Sequence, residues 1–364
     1  MKLPALDDLI QEQRNVYLHP VDTSLFVAGP PGSGKTSVAV HRARYLADNG
    51  CSVALITRNR MLVALATQLG DPRVTASTMH RFVSNAYSSR TGRMAPQPEP
   101  YVYDWEQLLL EYGKLGAAPA VDHLVIDEAQ NLPPGFFRWA SRFAARFLDV
   151  FADEHQAIDD EHSMLQEIRR EAGLQNPVPL TLNHRNTPEI ADVAEHFHES
   201  RNLAPALVKK SRGGELPRLI EIGSLEELVP RVLTRFRNRR DSVGVIVRSR
   251  KEVDELLQLI RAKARPGERV DAYTKDTPRG AEIGIRIVEP GVTVLTGESV
   301  IGLEFDSVFL LDLARSLPCR TPTDRRRMYM LCARARDSLV LVNGPDKLDS
   351  SELAALPPGK YLAR

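Results

Sequence analysis

The chain has 364 residues, more than one hydrophobic core usually organises, so two domains are expected. Hydrophobic residues make up 43% and charged residues 26%, which argues against disorder and supplies enough apolar side chains for two cores. Lys plus Arg (48) and Asp plus Glu (47) nearly cancel, so no global basic excess marks a nucleic-acid binder and any such site must come from local patches.

In chain order, Leu25 to Ala28 is a short apolar strand that runs into Gly29-Pro30-Pro31-Gly32-Ser33-Gly34-Lys35-Thr36. A helical pattern follows, carried by Val38, Val40, Ala43, Leu46 and Ala47. Val53 to Ile56 reads as a second strand, Leu124 to Ile126 as a third and Leu148 to Phe151 as a fourth. The segment from Ser88 to Pro100 is the most loop-like stretch. Arg138, Arg142 and Arg146 recur every four residues on a predicted helix that also carries Phe136, Phe137, Trp139, Phe143 and Phe147, a pattern that favours aromatic core over a binding surface. From about Asn176 the pattern restarts. Strands at Leu219–Ile222, Val243–Val247, Val292–Leu295, Val308–Leu311 and Leu339–Val342 alternate with helices at Leu225–Phe236 and Val253–Ala264. Strands alternating with helices imply right-handed crossovers and parallel sheets with ligand sites at the carboxyl ends of strands. The expected fold is α/β, with two tandem domains at 1–175 and 176–364, each a mostly parallel sheet flanked by helices.

Gly29 to Thr36 satisfies G-x-x-x-x-G-K-[ST] after a strand and before a helix. Its glycines let backbone N–H groups close around phosphates at a helix amino terminus; Lys35 adds a charge and the Thr36 hydroxyl suits Mg²⁺. The whole run, with Ser37 behind it, is assigned to the nucleotide. Asp127 and Glu128 follow an apolar strand. Downstream of a P-loop, Asp127 suits the metal's hydration shell and Glu128 the attacking water. Cys51, Cys319 and Cys332 form no CxxC, and His196 and His198 lack a third ligand, so no disulfide framework and no metal other than Mg²⁺ is expected. No apolar run reaches bilayer length and the amino terminus is broken by Pro4, Asp7 and Asp8, so the chain reads as cytoplasmic, with no membrane partner.

Asp127-Glu128-Ala129-Gln130 resembles the DExx box of UvrD/Rep-type superfamily 1 helicases, and further segments resemble that family's motifs in order. The resemblance implies two RecA-like domains and an ATP hydrolase. Gln13 falls on the glutamine that reads adenine. Thr57, Arg58 and Asn59, then Thr78 and His80, fall in two segments that touch single strands. Gln156 matches the γ-phosphate sensor, Arg185 the arginine of the NYRS segment with His184 in the place of its tyrosine, Glu304 a ribose contact and Arg334 the arginine finger. Arg185 and Arg334 would complete the site when ATP closes the two domains.

Departures accompany the match. Glu161 stands where the family stacks a base on tryptophan, Glu298 replaces a histidine and Ile301 a lysine, and the large accessory insertions are absent. The implied function is an ATP- and Mg²⁺-dependent motor on single-stranded nucleic acid, with DNA favoured over RNA. The alternative is an ATPase switch that licenses a protein partner, such as a nuclease, in DNA repair or phage defence. Arg231, Arg235, Arg237, Arg239 and Arg240 read either as a solvated helix face or as a phosphate-tracking strip.

Overall fold

The computed structural model describes residues 5–57, 60–116, 118–153, 163–198, 207–208, 213–287 and 289–364. They form two compact units, one ending at Thr181 and the other running from Leu182 to Arg364. The first holds α1 (Gln11–Tyr17), β1 (Leu25–Ala28), α2 (Lys35–Asp48), β2 (Val53–Thr57), α3 (Arg60–Leu69), β3 (Thr75–Thr78), α4 (Met79–Thr91), α5 (Trp105–Leu115), β4 (Val121–Ile126), α6 (Pro134–Trp139), β5 (Ala145–Ala152), α7 (Leu165–Ala172) and β6 (Val178–Pro179). The second holds β7 (Leu182–Asn183), α8 (Pro188–Glu195), β8 (Leu207–Val208), β9 (Arg218–Glu221), α9 (Leu225–Arg239), β10 (Ser242–Val247), α10 (Arg250–Lys263), β11 (Val270–Tyr273), β12 (Gly291–Thr296), β13 (Phe305–Leu310), α11 (Pro322–Cys332), β14 (Ala335–Asn343) and α12 (Ser350–Ala354).

Each unit carries a six-stranded sheet, ordered β3-β2-β4-β5-β1-β6 in the first and β11-β12-β10-β13-β14-β9 in the second. All pairings within them are parallel. The architecture is α/β, two tandem RecA-like domains. Parallel strands need crossovers, so helices cover both faces and the strands are apolar on both sides. In β4, Leu124 and Ile126 pack with Tyr87, Tyr112, Phe136 and Trp139, while Val125 between them faces Val38, Ala39 and Leu46 of α2. Alternation of period two divides the strand between two cores. The second sheet buries Val243, Val245 and Val247 against Leu228, Val232 and Leu256 of α9 and α10.

Two local expectations change. The helix carrying Arg138 ends at Trp139, a π-turn spans Ala140–Ala144, and Arg146 lies in β5 with its guanidinium 3.6 Å from Asp122. The four-residue spacing of the arginines therefore does not mark one helix face; Phe136, Phe137 and Trp139 are fully buried. The first residues of the loop-like stretch complete α4, which stops at Gly92 in the left-handed conformation that a glycine adopts without strain.

The helix that starts in the P-loop is anchored from beneath. Arg42 of α2 has no exposed surface and its Nε donates to Asp149 Oδ1 at 3.0 Å, while its other nitrogens donate to the carbonyls of Tyr17, His19 and Pro20. His123 joins Asp149 Oδ2 to the Val21 carbonyl, at 2.6 Å and 2.8 Å. The network ties α2, β4, β5 and the segment before β1 together. Asp149→Ala leaves the buried guanidinium unbalanced and is expected to destabilise the first unit by about 3–5 kcal/mol. Both tryptophans, Trp105 and Trp139, lie there, so urea unfolding followed by intrinsic fluorescence measures it; an unchanged midpoint would remove the network from the fold's supports.

Candidate active site

Residues 29–36 leave β1 at its carboxyl end, where the Gly29 amide donates to the Ala152 carbonyl of β5 at 3.3 Å. Gly34 sits at φ 85° and caps α2, and a Cβ there would lie 2.6 Å from the Gln13 side-chain nitrogen. Only glycine meets both conditions. Pro31, Gly32, Ser33, Lys35 and Ser37 are buried; Gly29, Pro30, Gly34 and Thr36 are half-buried.

Lys35 is the centre of the arrangement. Its Nζ donates to the carbonyls of Gly29 (2.7 Å) and Pro30 (3.0 Å) and to Asp153 Oδ2 at 3.1 Å. Asp153 follows β5 as Asp127 and Glu128 follow β4, and β5 separates β4 from β1 in the sheet. Three adjacent parallel strands thus deliver the P-loop and three carboxylates to one edge. Thr36 and Asp127 line a common hollow with Thr57, and the Thr36 hydroxyl faces the Asp127 carboxylate. Asp127 Oδ1 is buried with no hydrogen-bond partner among the described residues. A buried carboxylate oxygen beside a hydroxyl fits a hard divalent cation, which prefers oxygen ligands.

Glu128 adopts φ 54°, a left-handed conformation that costs a non-glycine residue about 1–3 kcal/mol. Gln130 holds it there. Its amide nitrogen donates to Glu128 Oε2 at 2.6 Å and its carbonyl accepts from the Asp153 backbone N–H at 2.9 Å, so one fully buried side chain joins the ends of β4 and β5. Burial first, and the neighbouring Glu128 carboxylate second, push the Asp127 carboxyl up to about 7.

Gln13 is buried, donates to the Ser33 carbonyl at 3.0 Å and accepts from the Ile10 amide at 3.3 Å. Its amide therefore braces the P-loop. Thr57 is 2% exposed beside Thr36 and Asp127, away from any open surface. Thr78 caps α4, accepting from the Arg81 amide, and His80 is half-buried in its first turn. Arg58, Asn59, Gln156 and Glu161 lie outside the described residues.

In the second unit, Arg185 and Glu304 form an ion pair through Nε and Oε2 at 2.5 Å. Burial alone would raise the Glu304 carboxyl, but the Arg185 guanidinium outweighs it and the carboxyl lies below its usual range. Arg185 also donates to the Ala333 carbonyl, which accepts from Asn186 as well. Arg334, next in sequence, has no exposed surface and donates to the carbonyls of Met330 and Leu303. The two arginines and Glu304 thus cluster where β7, α11 and the turn before β13 meet. His184 immediately precedes this group. Glu298 pairs with Arg315 and Arg327, and Ile301 is 2% exposed in the core. In α9, carboxylates hold Arg235, Arg237 and Arg239, which favours the ion-paired helix face over a phosphate strip.

Neither Gln130 nor Asp153 has a role assigned from the sequence alone. Asp153 was accessible to the rule that found Asp127, since both are carboxylates at the end of a buried parallel strand. Gln130 left no such signal.

Residues 13–173 match the family model described as an AAA domain. A solved structure, the C-terminal domain of a possible DNA helicase from Lactobacillus plantarum WCFS1, is 23% identical over 49% of this chain and 96% of that one, with a TM-score of 0.36. No curated protein matches. Among the described residues no helix is long and apolar enough to cross a membrane.

In protein free of metal and nucleotide, the folded Asp127 binds its proton more tightly than the unfolded chain, whose ordinary value is 3.8. Folding stability therefore falls as pH rises from about 4 to about 7. Asp127→Asn carries no charge and escapes this loss, so its melting temperature is expected to gain on wild type across that window and to differ little below it. A pH-independent difference in thermal scans would show that an ionised Asp127 is tolerated at no cost.

Proposed function

We propose that the chain is an ATP hydrolase of the helicase type whose turnover is coupled to single-stranded nucleic acid, DNA before RNA. The observation that carries it is the assembly of Lys35, Asp127, Glu128 and Asp153 at the ends of three adjacent strands, with a buried Asp127 oxygen left unpartnered. In this reading residues 1–175 form the ATP-binding domain and 176–364 the second helicase domain.

The glycine-rich backbone from Gly29 to Gly34 and the amino end of α2, with Thr36 and Ser37 in its first turn, cradle the phosphates. Lys35 exchanges its bonds to Gly29, Pro30 and Asp153 for phosphate oxygens. Thr36 and Asp127 would hold Mg²⁺, which when bound neutralises charge on the phosphates. Glu128 accepts the proton of the attacking water; Oε2 stays on Gln130, leaving Oε1 for that proton. Gln13 fixes the P-loop from the side on which the base would lie, with His184 and Glu304 as further nucleotide contacts. Gln156 senses the γ-phosphate. Arg185 and Arg334 are supplied by the second domain in the ATP-bound state, where they counter charge spreading over the transferring group. Thr57, Arg58, Asn59, Thr78 and His80 belong to the segments that meet the nucleic acid.

The second reading, an ATPase switch for a protein partner such as a nuclease, is favoured by Glu298, whose carboxylate pairs with Arg315 and Arg327, and by the buried Ile301, which together leave the segment before β13 acidic and without a lysine. Steady-state ATP hydrolysis with and without single-stranded DNA separates the two. Salt-sensitive stimulation supports the motor; basal turnover indifferent to DNA supports the switch. Lys35→Ala is expected to abolish turnover, Glu128→Gln to bind ATP while turning over about 10²–10⁴-fold more slowly, and Arg334→Ala to lose about 10³-fold in kcat with little change in binding. Normal turnover in Glu128→Gln would sink its assignment as general base.

A further inference from the structure

The segment between α4 and α5 holds an aromatic ring in an unusual place. Glu99-Pro100-Tyr101-Val102 is a β-turn closed by the Val102 amide on the Glu99 carbonyl at 3.0 Å. Pro100 presets the first central position, and Tyr101 occupies the second at φ 69°, a value that glycine or asparagine ordinarily supplies. Turn chemistry alone would select against tyrosine there. Nor does core packing explain it, because Tyr101 is 61% exposed.

The ring is nevertheless fixed. Its edge meets His80 at a centroid distance of 5.4 Å, and His80 stacks on Tyr103 at 5.5 Å with the planes 28° apart. The Tyr103 hydroxyl donates to the His80 carbonyl at 2.9 Å and its ring leans on Trp105, which packs on Phe136 and Trp139. A ladder of rings thus rises from the core and ends at the surface in Tyr101. His80 Nδ1 within it is buried and has no hydrogen-bond partner among the described residues. Arg81, in the first turn of α4, is exposed and makes no ion pair among them. The amino end of this 13-residue helix adds partial positive charge beside it. A rigid exposed ring packed on the first turn of a helix that also carries the exposed cation Arg81 matches a base attached to a phosphate better than an apolar peptide side chain, which needs no cation.

We propose that Tyr101, backed by His80 and Tyr103, is a stacking platform for an unpaired base of single-stranded nucleic acid. The platform deepens the proposed function and rests on it. Stacking takes any base, because every base has a π-face.

The test measures fluorescence anisotropy of a labelled oligothymidylate and of the same backbone with abasic sites, against wild type, Tyr101→Phe, Tyr101→Trp and Tyr101→Gly. Glycine suits the turn, so Tyr101→Gly keeps or raises the melting temperature and the fold is not in question. Tyr101→Phe and Tyr101→Trp are expected to bind like wild type, and Tyr101→Gly to lose about tenfold on oligothymidylate. On the abasic strand Tyr101→Gly and wild type should coincide. The slope of affinity against salt should not change, since tyrosine neutralises no phosphate. Equal binding of oligothymidylate by Tyr101→Gly and wild type overturns the platform alone, as does an equal loss on the abasic strand. Failure of wild type to bind any single strand overturns the proposed coupling to nucleic acid and the platform with it.

Discussion

Asp127, Glu128 and Asp153 are each less than 5% exposed, and the ammonium of Lys35 is the cation that the described structure sets among them. Buried like charges at neighbouring strand ends repel strongly in a medium that screens far less than water. Lys35 balances one carboxylate through its bond to Asp153; burial first, and the neighbouring Glu128 carboxylate second, raise the proton affinity of Asp127. A fold that gathers more negative charge than it neutralises is poised for a divalent cation at Asp127. The parallel sheet makes the gathering unavoidable, because every strand carboxyl end in it lies along one edge.

That electrostatic load is held by neutral side chains. Gln130 spends both ends of its amide on the strand ends, fixing Glu128 in a left-handed backbone and binding the Asp153 amide. Gln13 does the equivalent on the opposite flank, between Ile10 and the Ser33 carbonyl. Amides suit this work because they donate and accept without adding charge. Beneath them the Arg42–Asp149 pair is the structural counterpart of Lys35–Asp153: both link α2 or its loop to β5, but Arg42 has no exposed surface and donates three further bonds to backbone carbonyls.

Much of this was legible in the sequence, for a physical reason. Strands buried on both faces must be apolar runs, a phosphate cradle must have glycine at fixed positions, and a carboxylate at a strand end stands out against both. What stayed hidden was pairing at a distance. Lys35 and Asp153 are 118 positions apart, and nothing local to either announces the other. Gln130 carries no local signal of its role, since that role depends on a backbone amide just past another strand. The arginine periodicity through Arg138, Arg142 and Arg146 misled for the opposite reason: it is local, but the π-turn after Trp139 ends the helix before the pattern closes. Tyr101 lies just past the loop-like stretch from Ser88 to Pro100 and belongs to no motif, although Pro100 before it already fixes the first half of a turn.

Both units commit arginines to carboxylates, in the first Arg42, Arg73, Arg138 and Arg146, and this bears on how nucleic acid would be held. In the second, Arg185, Arg235, Arg237, Arg315, Arg327 and Arg336 all have carboxylate partners. Phosphates would have to displace those carboxylates, regaining only the difference between two ion pairs. Where a surface has committed its guanidiniums in this way, grip would draw more on hydrogen bonds at helix ends, stacking on exposed rings and cations such as Arg81 that have no ion pair among the described residues. Such contacts would supplement the phosphate contacts that make binding salt-sensitive, so the proposed grip on a single strand would not need a broad basic surface on a chain of net charge +1. The near cancellation of charge therefore bears on how the proposed binding of nucleic acid would work, and moves attention from the arginine-rich helix α9 to the aromatic ladder behind Tyr101.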